Sequence, residues 1–238
     1  MMTSSQQRIE ALTSAGSWGS DTLHSLLERH ARDRPSALAL KDQPNREELT
    51  GDAPLSLRWA ELDQASENLA VALQDIGVRA DDRLIVQLPN VVELAVVYYA
   101  ASKLGAIVSP VPVQYSSHEL RKIAATLDAT AMITIERLRD VKLAQQAREA
   151  LPGLRTLVFG SDLRLDTRPG NRRCSRGTEG ANAILTICWT SGTTGTPKGV
   201  PRSHNMWLAT GRQTVEAGSY TPEDVLLNPF PLVNMAAL

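Results

Sequence analysis

Arg83-Leu84-Ile85-Val86-Gln87-Leu88-Pro89-Asn90, with Val91 to Gly105 and Ala106 to Val113 behind it, decides how this chain folds. Arg83 to Leu88 is a short, almost continuous apolar run stopped by Pro89, which reads as a buried strand. Val91 to Leu104 reads as a buried helix ended by a left-handed cap at Gly105. Ala106 to Val113, broken by Pro110 and Pro112, reads as the next strand. Toward the C-terminus the rhythm repeats. Ser116 and Glu119 form a capping box for a helix whose Leu120, Ile123, Ala124 and Leu127 share a face. Ala131 to Ile135 reads as a strand, Leu138 to Ala150 as a helix and Arg155 to Phe159 as a strand. Strands alternating with helices predict an α/β fold, a mostly parallel sheet with helices on both faces. Ligands of such sheets gather at the carboxyl ends of the strands.

Toward the N-terminus, Trp59 to Ile76 is the clearest amphipathic helix, with Leu62, Ala65, Leu69, Leu73 and Ile76 at three- and four-residue steps and Gly77 at the cap. Before it, Ser36 to Lys41 and Leu55 to Arg58 read as a hairpin around a polar loop, Asp42 to Pro54. Asp21 or Thr22 caps a helix ending near Pro35, in which Leu23, Leu26, Leu27 and His30 share a face. His24 and His30 have no partner at metal-site spacing and read as packing or surface residues. Residues 1–20 are polar, lack the apolar core of a secretory signal and read as a flexible leader. Residues 161–181 are rich in Pro, Gly and Ser and carry Arg164, Arg168, Arg172, Arg173 and Arg176; they read as an exposed, mobile loop.

The bulk properties exclude several classes. The chain has 238 residues, 42% hydrophobic and 21% charged, as in globular proteins. Its 25 lysines and arginines against 26 acids leave a net charge of −1, which argues against a nucleic-acid partner. In the arginine-rich segment no aromatics interleave to stack bases. The most apolar run, Val91 to Ala101, carries Glu93 and is far short of the roughly 20 residues of a membrane span. Cys174 and Cys188 have neither metal nor redox spacing, Cys188 reads as a small buried residue, and a reducing, cytoplasmic setting is expected.

A second stretch carries the chemistry: Ile187-Cys188-Trp189-Thr190-Ser191-Gly192-Thr193-Thr194-Gly195-Thr196-Pro197-Lys198-Gly199-Val200. Ala183 to Trp189 reads as a buried strand and Arg202 to Gly218 as a helix. Between them, glycines free backbone N–H groups to face a ligand, hydroxyls add donors, and a lysine adds mobile charge. That inventory suits the phosphates of a nucleotide. A Walker loop is excluded, because Pro197 stands where its glycine is required and Gly199 where its Ser/Thr is required. The dinucleotide pattern fails for want of a third glycine. A Gly/Thr-rich turn without function is the plain alternative.

The order T-S-G-T-T-G-x-P-K-G, matched at every position from Thr190 to Gly199, resembles the phosphate-loop signature of the acyl-adenylate-forming superfamily. That superfamily comprises acyl-CoA synthetases, aryl-acid AMP ligases, luciferases and peptide-synthetase adenylation domains. Val86-Gln87-Leu88-Pro89-Asn90 with Leu104-Gly105-Ala106, and Pro201-Arg202-Ser203-His204-Asn205, are similar to further segments of the same family. Asn228-Pro229-Phe230-Pro231-Leu232-Val233-Asn234-Met235 resembles its next motif, with Asn234 where many members have histidine and Ala237 where many have glycine. An amide cannot carry a proton as imidazole does, which argues against an acid–base role at that position.

The resemblance implies that residues 21–238 are the N-terminal portion of the family's large AMP-binding domain, truncated at Leu238 and without its C-terminal lid. It implies that a carboxylate attacks the α-phosphate of Mg-ATP and that a thiol, usually of CoA, then displaces AMP. ATP, Mg2+ and CoA are the implied cofactors, and a small carboxylic acid is the implied substrate. Thr190, Ser191, Gly192, Thr193, Thr194, Gly195 and Lys198 are expected to hold the nucleotide, and Asn234 and Met235 to line the acid pocket. The family's catalytic lysine belongs to the lid, so no catalytic residue and no metal ligand is assigned within this chain. An acid–CoA ligase inactive as this portion alone is the leading expectation. The alternatives are an aryl-acid AMP ligase that loads a carrier protein, and a non-catalytic nucleotide-binding protein or one partnered by a separate C-terminal half. An unfinished pocket would also leave apolar surface exposed.

Overall fold

The computed structural model describes residues 2–177, 180–190 and 197–233. The N-terminal part runs α1 (Gln6–Ser14), α2 (Leu23–Asp33), β1 (Leu38–Lys41), α3 (Arg46–Thr50), β2 (Ser56–Arg58) and α4 (Trp59–Asp75). The alternating part follows with β3 (Arg83–Gln87), α5 (Val92–Leu104), β4 (Ile107–Pro110), α6 (Ser117–Leu127), β5 (Ala131–Ile135), α7 (Leu143–Ala150) and β6 (Arg155–Phe159). It closes with β7 (Ile184–Thr190), β8 (Lys198–Ser203) and α8 (His204–Gly218). β1 and β2 pair antiparallel as the expected hairpin. The other six strands form one sheet in the order β6-β5-β3-β4-β7-β8, parallel except for the antiparallel pair β7–β8.

The layers follow from the direction of each crossover. A parallel β–helix–β connection is right-handed, so the face that receives the helix depends on which way the chain steps along the sheet. From β3 the chain steps to β4; from β4 it returns past β3 to β5, then moves on to β6. α5 therefore covers one face and α6 and α7 the other. The core records this division. Leu84 and Val86 pack with Leu94, Val97 and Ala101 of α5, together with α2 and α4. Ile85 and Met132, pointing the opposite way, pack with Leu120 and Ile123 of α6 and Ala147 of α7.

α5 is the hub: eleven of its thirteen residues are buried. Two of them are charged and each is paired, as burial demands. Glu93 accepts from both Nη atoms of Arg46, at 2.6 and 3.0 Å, and Arg46 also reaches Asp42 at 2.5 Å. Lys103 Nζ lies 2.6 Å from Asp63 and 3.2 Å from Glu67.

Five local expectations change. Residues 6–14, within the segment expected as a flexible leader, form α1, capped by the Ser5 hydroxyl and burying Ile9. α3 lies inside the polar loop, and α7 begins at Leu143 rather than Leu138. The arginine-rich segment contains neither helix nor strand where described, yet it lies against α4. Asn68 Nδ2 donates to the carbonyls of Asp166 and Arg168, Arg172 pairs with Asp75, and Cys174 N–H donates to Glu67. Finally, the strand–loop–helix expected at residues 183–218 has an additional strand, β8, before its helix. Pro201 is tolerated there because β8 is the outermost strand.

Candidate functional site

β7 and β8 form a hairpin whose last pairs are Trp189↔Gly199 and Thr190↔Lys198. Thr190, half-buried, and Lys198, exposed, thus face each other across its mouth. Ser191, Gly192, Thr193, Thr194 and Gly195, expected to supply the phosphate donors, lie outside the described residues, as do Asn234 and Met235. The mouth opens on the carboxyl edge of the sheet. There the connection leaving β4 turns back toward β5 and the one leaving β7 turns outward to β8. Adjacent strands whose connections diverge leave a crevice between them, the usual ligand position in such sheets.

The hairpin is bolted to the sheet by tryptophan donors. Trp189 Nε1 donates to the buried Ser109 Oγ of β4 at 2.8 Å, and Trp207 Nε1 of α8 donates to Thr186 Oγ1 at 2.9 Å. The Arg202 guanidinium lies 5.9 Å from the centre of the Trp207 ring, within cation–π range. Gly199 is required by packing: a Cβ there would stand 2.9 Å from Ile187 Cγ2 and 3.5 Å from the Trp189 ring.

Behind the hairpin, Ser203 caps α8 by accepting from Met206 N–H. The next two residues grip the N-terminal segment. His204 Nδ1 accepts from Leu23 N–H at 3.1 Å. Asn205 Oδ1 accepts from Gly19 N–H at 2.9 Å, while its Nδ2 donates to Gly19 O and Asn182 Oδ1. His24, expected as a packing residue, shares a 2.9 Å hydrogen bond with Ser102 Oγ, and its ring meets His204 edge-on at 6.4 Å. Burial pushes the pKa of both imidazoles down to about 4, with the positive charges of Arg176 and Lys103 adding to the effect at His24. Both therefore sit in the fold as neutral rings. The two thiols are buried as well; burial raises Cys174 to about 11 and moves Cys188 in the same direction. Neither is poised as a nucleophile.

Two strands away, the carboxyl end of β3 receives the segment that precedes Asn234. Asn90 Nδ2 donates to Phe230 O at 2.7 Å, and its Oδ1 accepts from Leu232 N–H at 2.8 Å. Tyr98 O–H donates to Leu232 O at 3.1 Å. β3 and β7 are two positions apart in the sheet, roughly 10 Å at about 4.8 Å per strand. Asn90, Tyr98, Ser109 and Asn205 are not among the residues expected to bind nucleotide or acid, although Asn90 and Asn205 stand in segments that resemble the family. The position of Asn90, directly after the strand-ending Pro89, also hinted at the first.

Two adjoining clefts of about 320 and 310 Å³ also lie on the carboxyl side, near Phe159 and Gly160 at the end of β6. They share Asp52 and carry Arg137 or Arg164 on their walls, but none of the expected site residues. Among the described residues no group of three or more His, Cys, Asp or Glu side chains could hold a metal ion, and no helix is long and apolar enough to cross a membrane.

The chain resembles known proteins over most of its length. The family model described as AMP-binding enzyme matches residues 27–238. A 2-hydroxy-7-methoxy-5-methyl-1-naphthoate–CoA ligase of Streptomyces carzinostaticus is 29% identical, over 92% of this chain and 41% of its own length. A salicyl-AMP ligase / salicyl-S-ArCP synthetase of Mycobacterium tuberculosis is 29% identical over 92% of this chain and 40% of its own. A medium-chain fatty-acid–CoA ligase of Escherichia coli is 29% identical over 97% and 41%. Among solved structures, apo MbtA of Mycobacterium smegmatis superposes with a TM-score of 0.82 at 27% identity, over 99% of this chain and 43% of that one. The chain spans about 40% of the length of the curated relatives it matches.

Proposed function

This chain belongs to the AMP-binding enzyme family, and from that premise we propose that it is the ATP-binding and acid-binding front of an ATP-dependent acid–CoA ligase. The observation that carries the reading is the pairing of Thr190 with Lys198 at the mouth of a hairpin on the carboxyl edge. This puts a hydroxyl and a mobile cation at either end of the hydroxyl- and glycine-rich loop. In the first half-reaction a carboxylate attacks the α-phosphate of ATP, and negative charge grows on the departing pyrophosphate. Donors fixed in advance at that point lower the barrier. Lys198 serves as the cation, with the hydroxyls of Thr190, Ser191, Thr193 and Thr194 and the backbone N–H groups of Gly192 to Gly195 as donors. Mg2+ enters with the nucleotide's phosphates. Asn234 and Met235 contact the acid, and CoA delivers the thiol that displaces AMP.

A second reading, an aryl-acid AMP ligase that passes its product to a carrier protein, is favoured by the likeness to the salicyl-AMP ligase and to MbtA. In both readings the lid that completes the reaction lies outside residues 27–238, on the same polypeptide or on a separate C-terminal half. Acid-dependent exchange of pyrophosphate into ATP, measured on the complete polypeptide with aromatic and aliphatic acids, tests the shared first step. No exchange with any acid would refute it. Release of AMP that depends on CoA supports the ligase, and release that depends on a carrier protein supports the second reading.

A further inference from the structure

We infer that Asn90 and Tyr98 are positioning residues for the acid-binding side of the site: they fix the backbone of Phe230 to Leu232 across the carboxyl end of β3, in a single register. The inference rests on the reading that Asn234 and Met235, which follow directly in sequence, contact the acid.

Asn90 spends both ends of its amide on this one segment, donating to Phe230 O and accepting from Leu232 N–H. The partners are 140 and 142 residues away in sequence, so the contact is tertiary and not a local turn. The residue between them is Pro231, which has no N–H. A slip of one residue that brought Pro231 to the Asn90 acceptor would offer it no N–H, so the amide excludes that register; the opposite slip would carry Leu232 and Val233 off their places on the core. Tyr98 adds a third point from the buried face of α5, donating to Leu232 O. Its hydroxyl is a fixed donor, because burial raises its pKa well above the usual phenol range. Leu232 and Val233 then pack on the main core.

Among the described residues, the bonds seen in the upstream segment are local ones. Residues 220–230 form no helix or strand, and their own backbone bonds are short-range, such as Asp224 N–H to Thr221 O and Phe230 N–H to Asn228 Oδ1. Val225 and Leu227 are 89% and 85% exposed. The Asn90 clamp ties the acid-side segment to the end of β3. Apolar packing excludes one slip and the amide the other, so the two together set the register.

The test uses Asn90→Leu, which removes both bonds, Asn90→Asp, which keeps the acceptor but sets a carboxylate against Phe230 O, and Tyr98→Phe. Hydrogen exchange of the chain reads the clamp directly. The Leu232 amide should exchange at least tenfold faster in Asn90→Leu and less so in Asn90→Asp, which keeps its acceptor, with the amides of β3 and β5 unchanged. In the complete polypeptide, the acid KM in pyrophosphate exchange should rise about tenfold in the Asn90 variants and less in Tyr98→Phe. The ATP KM should stay within twofold. Unchanged protection at Leu232 would overturn the clamp. Faster exchange with acid and ATP KM rising together, or with neither moving, would overturn the positioning role and leave a structural bond. A wild-type polypeptide that shows no acid-dependent exchange would overturn the functional reading and the role built on it, while amide exchange still decides the clamp separately.

Discussion

His204 gives the sharpest physical test of how the hairpin is held, because its Nδ1 lone pair is occupied by the Leu23 N–H and its ring is only 4% exposed. Protonation would place a proton in that bond and a charge in the core beside His24. The folded pKa is accordingly about 4 against 6.5. Above pH 6.5 both folded and unfolded rings are neutral and the stabilisation is complete. As pH falls from 6.5 toward 4, the unfolded chain takes up a proton that the fold refuses, and stability declines. At about 1.4 kcal/mol per pKa unit, the loss between pH 7 and pH 5 is about 2 kcal/mol for His204. His24 acts in the same direction with a smaller weight, being more exposed. Glu67, held near 2 against 4.5, contributes its loss only below pH 4.5. His204→Asn keeps an acceptor in the Nδ1 position and cannot titrate. Urea unfolding at pH 7 and pH 5 should show the wild type losing about 2 kcal/mol more than the variant across that interval. Parallel pH dependences for the two proteins would refute the account of His204 as a buried neutral acceptor.

Four further outcomes follow from the same structure. Lys198→Ala should raise the ATP KM in pyrophosphate exchange by more than tenfold, a loss of about 1.4 kcal/mol or more; unchanged ATP kinetics would remove Lys198 from the phosphate site. Trp189→Phe leaves the buried Ser109 hydroxyl without its donor and should cost about 1–2 kcal/mol in denaturant unfolding. Glu67→Gln removes the buried carboxylate shared by Lys103, Arg173 and Arg176. It should destabilise by roughly 3–5 kcal/mol and open residues 161–181 to limited proteolysis. Exchanging the exposed Leu226 and Leu227 for lysine removes apolar surface and should weaken the attraction between chains that light scattering reads as the second virial coefficient; an unchanged value would refute this.

How much of this was legible in the sequence depended on whether the relevant contact was local. β3, α5 and β4 could be read because strands and a helix buried on all sides are apolar nearly throughout, and the Ser116–Glu119 capping box because its two partners are three residues apart. β8 could not, since its strand register rests on pairing with β7 while its own Lys198, Gly199 and Pro201 argue against a strand. The arginine-rich segment misled for the same reason. Its composition is that of a solvated loop, but Arg172, Arg173 and Arg176 meet carboxylates about a hundred residues earlier, Asp75 and Glu67. Charge that looks superfluous along the chain is neutralised across it.

The candidate site divides along the same line. The chemistry proposed for it is local: hydroxyls, glycines and Lys198 fall within ten residues, so donors suited to phosphate can be read in succession along the chain. Its placement is not. Thr190 and Lys198 face each other only because β7 and β8 pair; the hairpin reaches β4 through Ser109, α8 reaches the N-terminal segment through Asn205, and residues 230–232 reach the end of β3 through Asn90. Each of these three is a single polar residue with no periodic signature; Ser109 and Asn205 are themselves buried and Asn90 is half-buried. Variants at these three residues should therefore alter where the site's parts stand without altering what they are, and a search confined to the phosphate-loop signature would pass over all of them.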